Sequence, residues 1–307
     1  MMNIVIIGIG AMGSVYGGLF AAAGHDVIGI DPWQDHINAI NQNGLRVSGA
    51  SGDRTVTSIK AQSPDDSLPD ADLYIIATKA ANVQAAGEKI IKEGRASSPV
   101  LTIQNGFGSG EILAEIVPKD RILLGVAEGF GASMKSPGHA YHSSMTRIRL
   151  GLYGGGSSAV LDEITTLWVE AGFPAEQYGD IDQLIWEKFV CNVTLSGACT
   201  ITGLTVAELR KDPALWQIAV NCGVEAYTIG KARGVHFSYD DPVAYVTAFA
   251  DKLGDARPSM SLDHLAKRKS EIDVLNGMVP VMAKSLNIPT PVNEVVSALV
   301  HHLEKDF

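Results

Sequence analysis

The chain is short of cysteine, of positive charge and of uninterrupted apolar sequence. Its 307 residues include three cysteines, Cys191, Cys199 and Cys222. They lie in apolar, helix-patterned surroundings without CxxC or metal-ligand spacing, which excludes a disulfide scaffold and a cysteine-held metal. Buried reduced thiols and a cytoplasmic protein are expected. Basic residues number 24 against 34 acidic ones, a net charge of −10. That balance argues against nucleic acid or an anionic membrane surface as a partner. One charge-free stretch, residues 189–207, has the length of a bilayer span. It carries Asn192, Thr194, Ser196, Thr200, Thr202 and Thr205 together with Gly197 and Gly203, so no membrane span is expected. The opening MMNIVIIG has no basic segment and too short an apolar run for a secretory leader, and reads as a first strand. His139, His142, His301 and His302 lack ligand spacing; surface or loop positions and no metal site are expected.

What is present is an apolar chain, 46% hydrophobic and 19% charged, long enough for about two domains with substantial cores. Its most informative segment is IVIIGIGAMGSVYGGLFAAAGHDVIGID, residues 4–31. An apolar run leads into Gly8-x-Gly10-x-x-Gly13, then a helical stretch, then a second apolar run ending at Asp31. This is the strand, glycine turn, helix, strand and acid of a dinucleotide site. Gly8 permits the turn, Gly10 lets backbone approach a pyrophosphate, and Gly13 lets the helix pack on the strand. The helix N-terminus, at Ala11 and Met12, turns free N–H groups and a positive dipole end to the phosphates. A carboxylate at Asp31 suits the two hydroxyls of an adenine ribose and repels a 2′-phosphate. The following PWQDHINAINQN has no Lys or Arg to offset it, so NAD(H) is favoured over NADP(H). Asp31 pointing elsewhere, or serving as an N-cap of the next helix, is the plain alternative.

Short apolar runs alternate with helical patterns through the first half. Strands are expected at Asn3–Ile7, Asp26–Ile30, Leu73–Ala77, Val100–Ile103 and Ile122–Leu124. Helices are expected at Ala11–Ala23, Gln34–Asn43, Asn82–Lys92, Ser109–Ile116 and Ser158–Ala171. The alternation implies an α/β, Rossmann-like doubly wound sheet. The β-rich, glycine-rich stretch Val126–Tyr153 reads as antiparallel strands added to the sheet edge. From about Asp180 strand signals vanish, and amphipathic patterns run over Ile181–Leu195, Leu215–Arg233, Pro242–Leu253, Glu271–Ser285 and Val292–Leu303. The expected organisation is a dinucleotide-binding domain, 1–179, followed by an all-α C-terminal domain, 180–307. The cleft between them is the default active site. The final helices are compatible with a homodimer, though no motif specifies one.

Lys188 and Asn192 lie one helical turn apart, and Ser196 extends the same face. Such a face can hold a carbonyl or carboxylate, yet on spacing alone a solvated polar face is the simpler reading. A second cluster holds Ser259-Met260, Asp263, Ser270-Glu271-Ile272-Asp273 and Asn276-Gly277. Ser270 as an N-cap, with Glu271 and Asp273 in the first turn, explains part of it without any function. Asn105-Gly106 follows the fourth strand and Lys79 the third, both at the edge where open α/β sheets bind ligands. Asn105-Gly106 also suits a simple turn.

Together these pieces resemble the ketopantoate reductase (2-dehydropantoate 2-reductase) family over nearly the whole chain. Gly8/Gly10/Gly13, Lys79 and Asn105-Gly106 match its N-terminal pattern in order. Trp186, Lys188 and Asn192 match its W-x-K-x-x-x-N helix. Ser259-Met260, Asp263 and Glu271-Ile272-Asp273 with Asn276-Gly277 match its S-M-x-x-D and E-I-D-x-x-N-G stretches. The resemblance implies a helical substrate domain and reduction of the keto group of a small 2-oxo acid, ketopantoate, by NAD(P)H. It implies that Lys188 hydrogen-bonds the keto oxygen and stabilises the alkoxide. Glu271 would orient groups or handle a proton beside substrate and nicotinamide. Asn105, Asn192, Ser196 and Ser259 would bind substrate, with Lys79, Asn105 and Glu271 near the cofactor. With this resemblance the catalytic reading of Lys188 displaces the solvated-face reading.

Three departures stand out. Ser196 occupies a position where many members carry asparagine. Asp31-Pro32 stands where the typical NADP(H)-using member has a basic residue. NAD-dependent D-2-hydroxyacid dehydrogenases related to the family fit Asp31 and the altered helix about as well. They form the close alternative, for bulkier 2-oxo acids; a non-catalytic NAD(H)-sensing protein is the remote one.

Overall fold

Strand β1 (Asn3–Ile7), with four of its five residues buried, is the axis of the first half. The computed structural model describes residues 1–307. It divides into two compact units: Met1–Asn105 with Ser109–Ile181, and Gly106–Gly108 with Asp182–Phe307.

In the first unit β1 is followed by α1 (Ala11–Ala22), β2 (Asp26–Ile30), α2 (Gln34–Asn43), β3 (Leu45–Gly49), β4 (Arg54–Val56) and β5 (Lys60–Gln62). Then come β6 (Leu73–Ile76), α3 (Val83–Glu93), β7 (Val100–Thr102), α4 (Ser109–Ala114) and β8 (Ile122–Glu128). β9 (Gly131–Ser136), β10 (His139–Ser144), β11 (Arg147–Leu152), α5 (Ala159–Glu170) and β12 (Ala175–Gln177) complete it. The main sheet has the order β12-β11-β8-β7-β6-β1-β2-β5. β5, β2, β1, β6, β7 and β8 run parallel, and β11 is antiparallel to β8. Strand order reverses at β1, which lies between β2 and β6. Ligands bind outside the carboxyl ends of strands at such a switch point.

The β-rich stretch after Val126 only partly joins this sheet. β8 and β11 extend its edge, whereas β9 and β10 join β3 and β4 in a second sheet of order β4-β3-β10-β9. This second sheet packs on α1. At Gly18 an added Cβ would lie 2.5 Å from Val47 Cγ2, so helix and sheet meet without room for a side chain. Leu45 and Val47, both buried, mark the inward face of β3. A five-residue alternation directly after a helix is too short to stand out in sequence.

The second unit is helical: α6 (Ile181–Thr202, its first residue belonging to the first unit), α7 (Val206–Lys211), α8 (Pro213–Ala232), α9 (Pro242–Leu253), α10 (Ser259–Leu265), α11 (Met278–Lys284) and α12 (Pro291–Leu303). Asp212 and Asp241 cap α8 and α9 and are each followed by proline at the first helical position. α6 runs a turn or two beyond the expected Leu195. No helix is long and apolar enough to cross a membrane. The expected helix Glu271–Ser285 is instead a 3₁₀ turn, Ile272–Val274, and the separate α11. Ser270 does not cap it: its N–H and hydroxyl both donate to Glu304. The cysteines are free and buried, and burial pushes the Cys191, Cys199 and Cys222 thiols up to about 12.

His301 and His302 are exposed as expected, and His142 departs from expectation. His142 is fully buried on β10 and stacks on Phe130 at 4.5 Å. His36, also fully buried, joins four parts of the first unit. Its Nε2 lies 2.8 Å from the Ile9 carbonyl and 3.2 Å from Ser14 Oγ, and its Nδ1 accepts the Gly138 N–H at 2.8 Å. Those partners assign the neutral ring with the proton on Nε2. Desolvation lowers the pKa of His36 and His142, and of His25, below the ordinary 6.5. The unfolded chain therefore takes up protons first as pH drops, so stability is full above about pH 6.5 and falls below it. Thermal melts should be level from pH 8 to 7 and move down between pH 6.5 and 5.5. His36→Gln should flatten that slope, and a level profile across this range in the parent protein would contradict the assignment.

Candidate active site

Gly8, Asp31, Lys79 and Asn105 follow β1, β2, β6 and β7, whose last residues pair in register: Ile7 with Ile30 and Ile76, and Ile76 with Thr102. One edge of the first unit's sheet thus collects the residues expected to meet a cofactor except Glu271, which belongs to the second unit. Gly8 has φ +96°, and a Cβ there would stand 2.6 Å from the Thr78 nitrogen. At Gly13 a Cβ would stand 2.0 Å from the Gly8 carbonyl oxygen. Both glycines are required by the protein's own packing. Gly10 differs: an added Cβ would meet nothing within 4 Å. It caps α1 without a side-chain bond, and the first turn carries no acid. Ala11 and Met12, half-buried, open the helix. An uncapped N-terminus beside an open glycine is a cradle that fits a pyrophosphate.

Asp31 is half-buried, and its Oδ1 accepts the Trp33 N–H at 3.0 Å. Trp33, not Asp31, occupies the N-cap position of α2. The capping alternative is therefore set aside. The carboxylate stays at the end of β2, the position of a ribose ligand in this fold. Lys79 and Asn105 are exposed. Gly106 has φ +88°, and a Cβ there would strike the Val274 carbonyl at 2.7 Å. Asn105-Gly106 is thus a turn, and the turn glycine packs tightly.

In the second unit α6 carries Lys188, Asn192 and Ser196 on one face, with successive members about 6 Å apart along the axis. Lys188 and Asn192 are half-buried and Ser196 is buried, so this is not a solvated face. Trp186 and Phe189 point into the core, where Trp186 packs on Phe107 at 4.6 Å and on Phe189 at 5.8 Å. Phe107 also donates its N–H to the Val274 carbonyl at 3.1 Å. Glu271, half-buried, immediately precedes the 3₁₀ turn that ends at Val274. Asn276 links that segment to α6, donating to the Val193 carbonyl at 2.9 Å and to Asn293 Oδ1 at 2.9 Å. Ser259 opens α10 and is exposed, while Ser261 on the same helix meets Thr200 of α6 at 3.3 Å.

Two residues matter here that sequence reasoning passed over. Asn276 was only part of a motif; it is fully buried and ties three helical segments together. Glu187 is buried beside Lys188. It accepts the Ser238 N–H at 2.7 Å and the Gln183 amide at 3.0 Å, which fixes the rotation of α6. Its signal was an acid within the apolar stripe Leu184, Val190 and Cys191.

The first unit is a doubly wound sheet with a glycine turn at its switch point, the class of fold that binds dinucleotides. The sequence pattern of the family described as "Ketopantoate reductase PanE/ApbA" matches residues 4–155, and that of its C-terminal part matches residues 180–304. The chain belongs to this family, and it is an NAD(P)-dependent oxidoreductase. A 2-dehydropantoate 2-reductase of Streptococcus pyogenes serotype M3 is 30% identical over 304 residues, covering 99% of this chain and 98% of that protein. A family ketopantoate reductase from Ralstonia eutropha JMP134 is 28% identical, with a TM-score of 0.90 and 99% of each chain covered. A D-mandelate dehydrogenase solved with NADH and anilino(oxo)acetate is 26% identical, also with a TM-score of 0.90 and 99% of each covered.

The glycines separate packing from ligand contact. Gly13→Ala should destabilise the protein by about 1–3 kcal/mol or more through overpacking. Gly10→Ala should stay within about 0.5 kcal/mol of the parent in denaturant melts yet weaken NAD(P)H binding by fluorescence titration at least tenfold. Unchanged binding in Gly10→Ala would remove the phosphates from this turn.

Proposed function

We propose that the protein reduces the keto group of a small 2-oxo acid, with 2-dehydropantoate going to pantoate as the favoured reaction. The observation that carries this reading is the Lys188–Asn192–Ser196 face of α6, a cation and two hydrogen-bonding side chains set among buried apolar neighbours. The bound nicotinamide supplies the hydride. Lys188 donates a hydrogen bond to the keto oxygen, stabilises negative charge as it develops there and delivers the proton that completes the alcohol. Glu271 orients the reacting groups and handles the proton that Lys188 must regain. Asn105, Asn192, Ser196 and Ser259 hold the substrate's carboxylate and hydroxyl. Gly8, Gly10, Ala11, Met12 and Gly13 receive the pyrophosphate, with Asp31, Lys79, Asn105 and Glu271 along the remainder of the cofactor. Free, buried thiols fit the reducing cytoplasm.

Asp31 supports NADH over NADPH, because a 2′-phosphate would face a carboxylate without a compensating base in residues 32–43. A second reading, an NAD-dependent 2-hydroxyacid dehydrogenase for bulkier 2-oxo acids, draws on the same Asp31. It draws also on the smaller Ser196 at a substrate position.

Purified protein should oxidise NADH in the presence of 2-dehydropantoate, followed by absorbance, with NADPH in parallel. Faster turnover of branched or aromatic 2-oxo acids would favour the second reading. Lys188→Ala should lower kcat by about 10²–10⁴-fold while NADH binding stays within twofold. Parent-like turnover in that variant would overturn the mechanism. Asp31→Ala with an arginine introduced at Pro32 should shift the ratio of cofactor affinities toward NADPH, and an unchanged ratio would remove Asp31 from the ribose.

A further inference from the structure

Glu304 opens the 3₁₀ turn Glu304–Asp306 that continues α12, and it is 7% exposed. One oxygen of its carboxylate accepts three hydrogen bonds: from the Ser270 N–H at 2.7 Å, the Ser270 hydroxyl at 2.6 Å and His264 Nε2 at 2.9 Å. One turn earlier on α12, His301 Nε2 lies 2.9 Å from Asp273 Oδ1. The end of α12 therefore holds the residue before Glu271 and a residue two places after it. Through His264 it also holds the end of α10, the helix that begins with Ser259.

The held segment has little structure of its own to fix it. From Ala266 to Gly277 there is neither α-helix nor strand, only the short 3₁₀ turn, and Lys267 sits at φ +54°. No ladder of backbone bonds sets the direction of Glu271, whose φ and ψ are −98° and 36°. Long-range bonds set it instead. Burial pushes the Glu304 carboxyl up, but the bonds from Ser270 and His264 outweigh burial and bring it below the ordinary carboxylate range. The acceptor therefore stays ionised at neutral pH and grips its donors through charge-assisted bonds.

We propose that Glu304 is a positioning residue for the reduction: it acts through Ser270 to hold Glu271 in its working place. The inference rests on the reading of Glu271 as a group at the reaction centre. Displacing a catalytic group by about 1 Å costs on the order of 100-fold in rate, and Glu304 is the buried anchor against such a displacement.

The test is a double-mutant cycle on the full chain, with the 2-oxo acid turned over best, saturating cofactor and a temperature well below each variant's Tm. Glu304→Ala should lower kcat about 10–100-fold with NADH binding within twofold of the parent. Glu304→Gln, whose amide oxygen accepts the same three bonds, should restore most of that loss. In a Glu271→Gln background, Glu304→Ala should change kcat by less than twofold, since the group it positions is already disabled. If Glu304→Ala does not fold, Ser270→Ala, which removes only the hydroxyl bond, should give a smaller loss of kcat that vanishes in the same background. Losses that multiply independently overturn the proposal, as does parent-like kcat in Glu304→Ala alongside an impaired Glu271→Gln. Full turnover in Glu271→Gln would overturn the reading of Glu271 itself.

Discussion

Where α1 crosses the end of β1 there is no space for a single additional carbon. The Gly13 Cα packs so closely on the Gly8 carbonyl that the position of the helix N-terminus follows directly from the position of the strand. β1 is in turn bonded on both sides, to β2 and β6. His36 pins the turn residue Ile9 to α2 and to the hairpin at Gly138. The partial positive charge of α1 is thereby fixed to the sheet edge where Asp31, Lys79 and Asn105 emerge. A cofactor site of this kind needs no induced ordering of its phosphate end, because the donors are already held.

The sequence made this half legible because its signals are local. Strand, glycine turn, helix and acid all lie within residues 4–31, and each carries its own pattern. The second sheet was not legible. β3 is five residues long, and its partner β10 begins at His139, so only tertiary pairing identifies it. β9 and β10 carry the same β-forming residues as β8 and β11, and nothing in composition says which sheet each will join. The helical half was legible in periodicity but not in its interruptions. Apolar spacing runs straight across residues 271–285, yet the chain departs from α-helix between Glu271 and Gly277. There Asn276 turns inward to bond α6 and α12.

The candidate site divides in the same way. Gly8 and Gly13 could be placed from spacing, since each answers a local steric demand, and Gly10 from its position between them. Lys188, Asn192 and Ser196 could be placed on one face, but spacing alone pointed to solvent, and the burial of Ser196 depends on how α6 packs. The roles of Glu187, Asn276 and Glu304 could not be read from the sequence, although Asn276 stood in a motif and Glu187 in an apolar stripe. Their importance lies in partners 51, 83 and 34 residues away in the chain. A buried polar side chain acquires its meaning only from the group it satisfies.

The loop after β2 has a different standing from the rest. The Asp31 side chain accepts from the Trp33 N–H while its own N–H donates to the Gln62 carbonyl at 3.2 Å, and Pro32, Trp33, Gln34 and Asp35 are exposed. α6, by contrast, meets Val296 of α12 at Gly197 and Gly223 of α8 at Thr194 with no spare volume. Sequence change at the exposed Pro32, Gln34 and Asp35 leaves core packing alone, although Trp33 stacks on the buried His36 at 5.1 Å, whereas change at Gly197 propagates through the helical unit. Substitution is thus structurally well tolerated in the exposed loop after β2 and structurally costly along the packed side of α6.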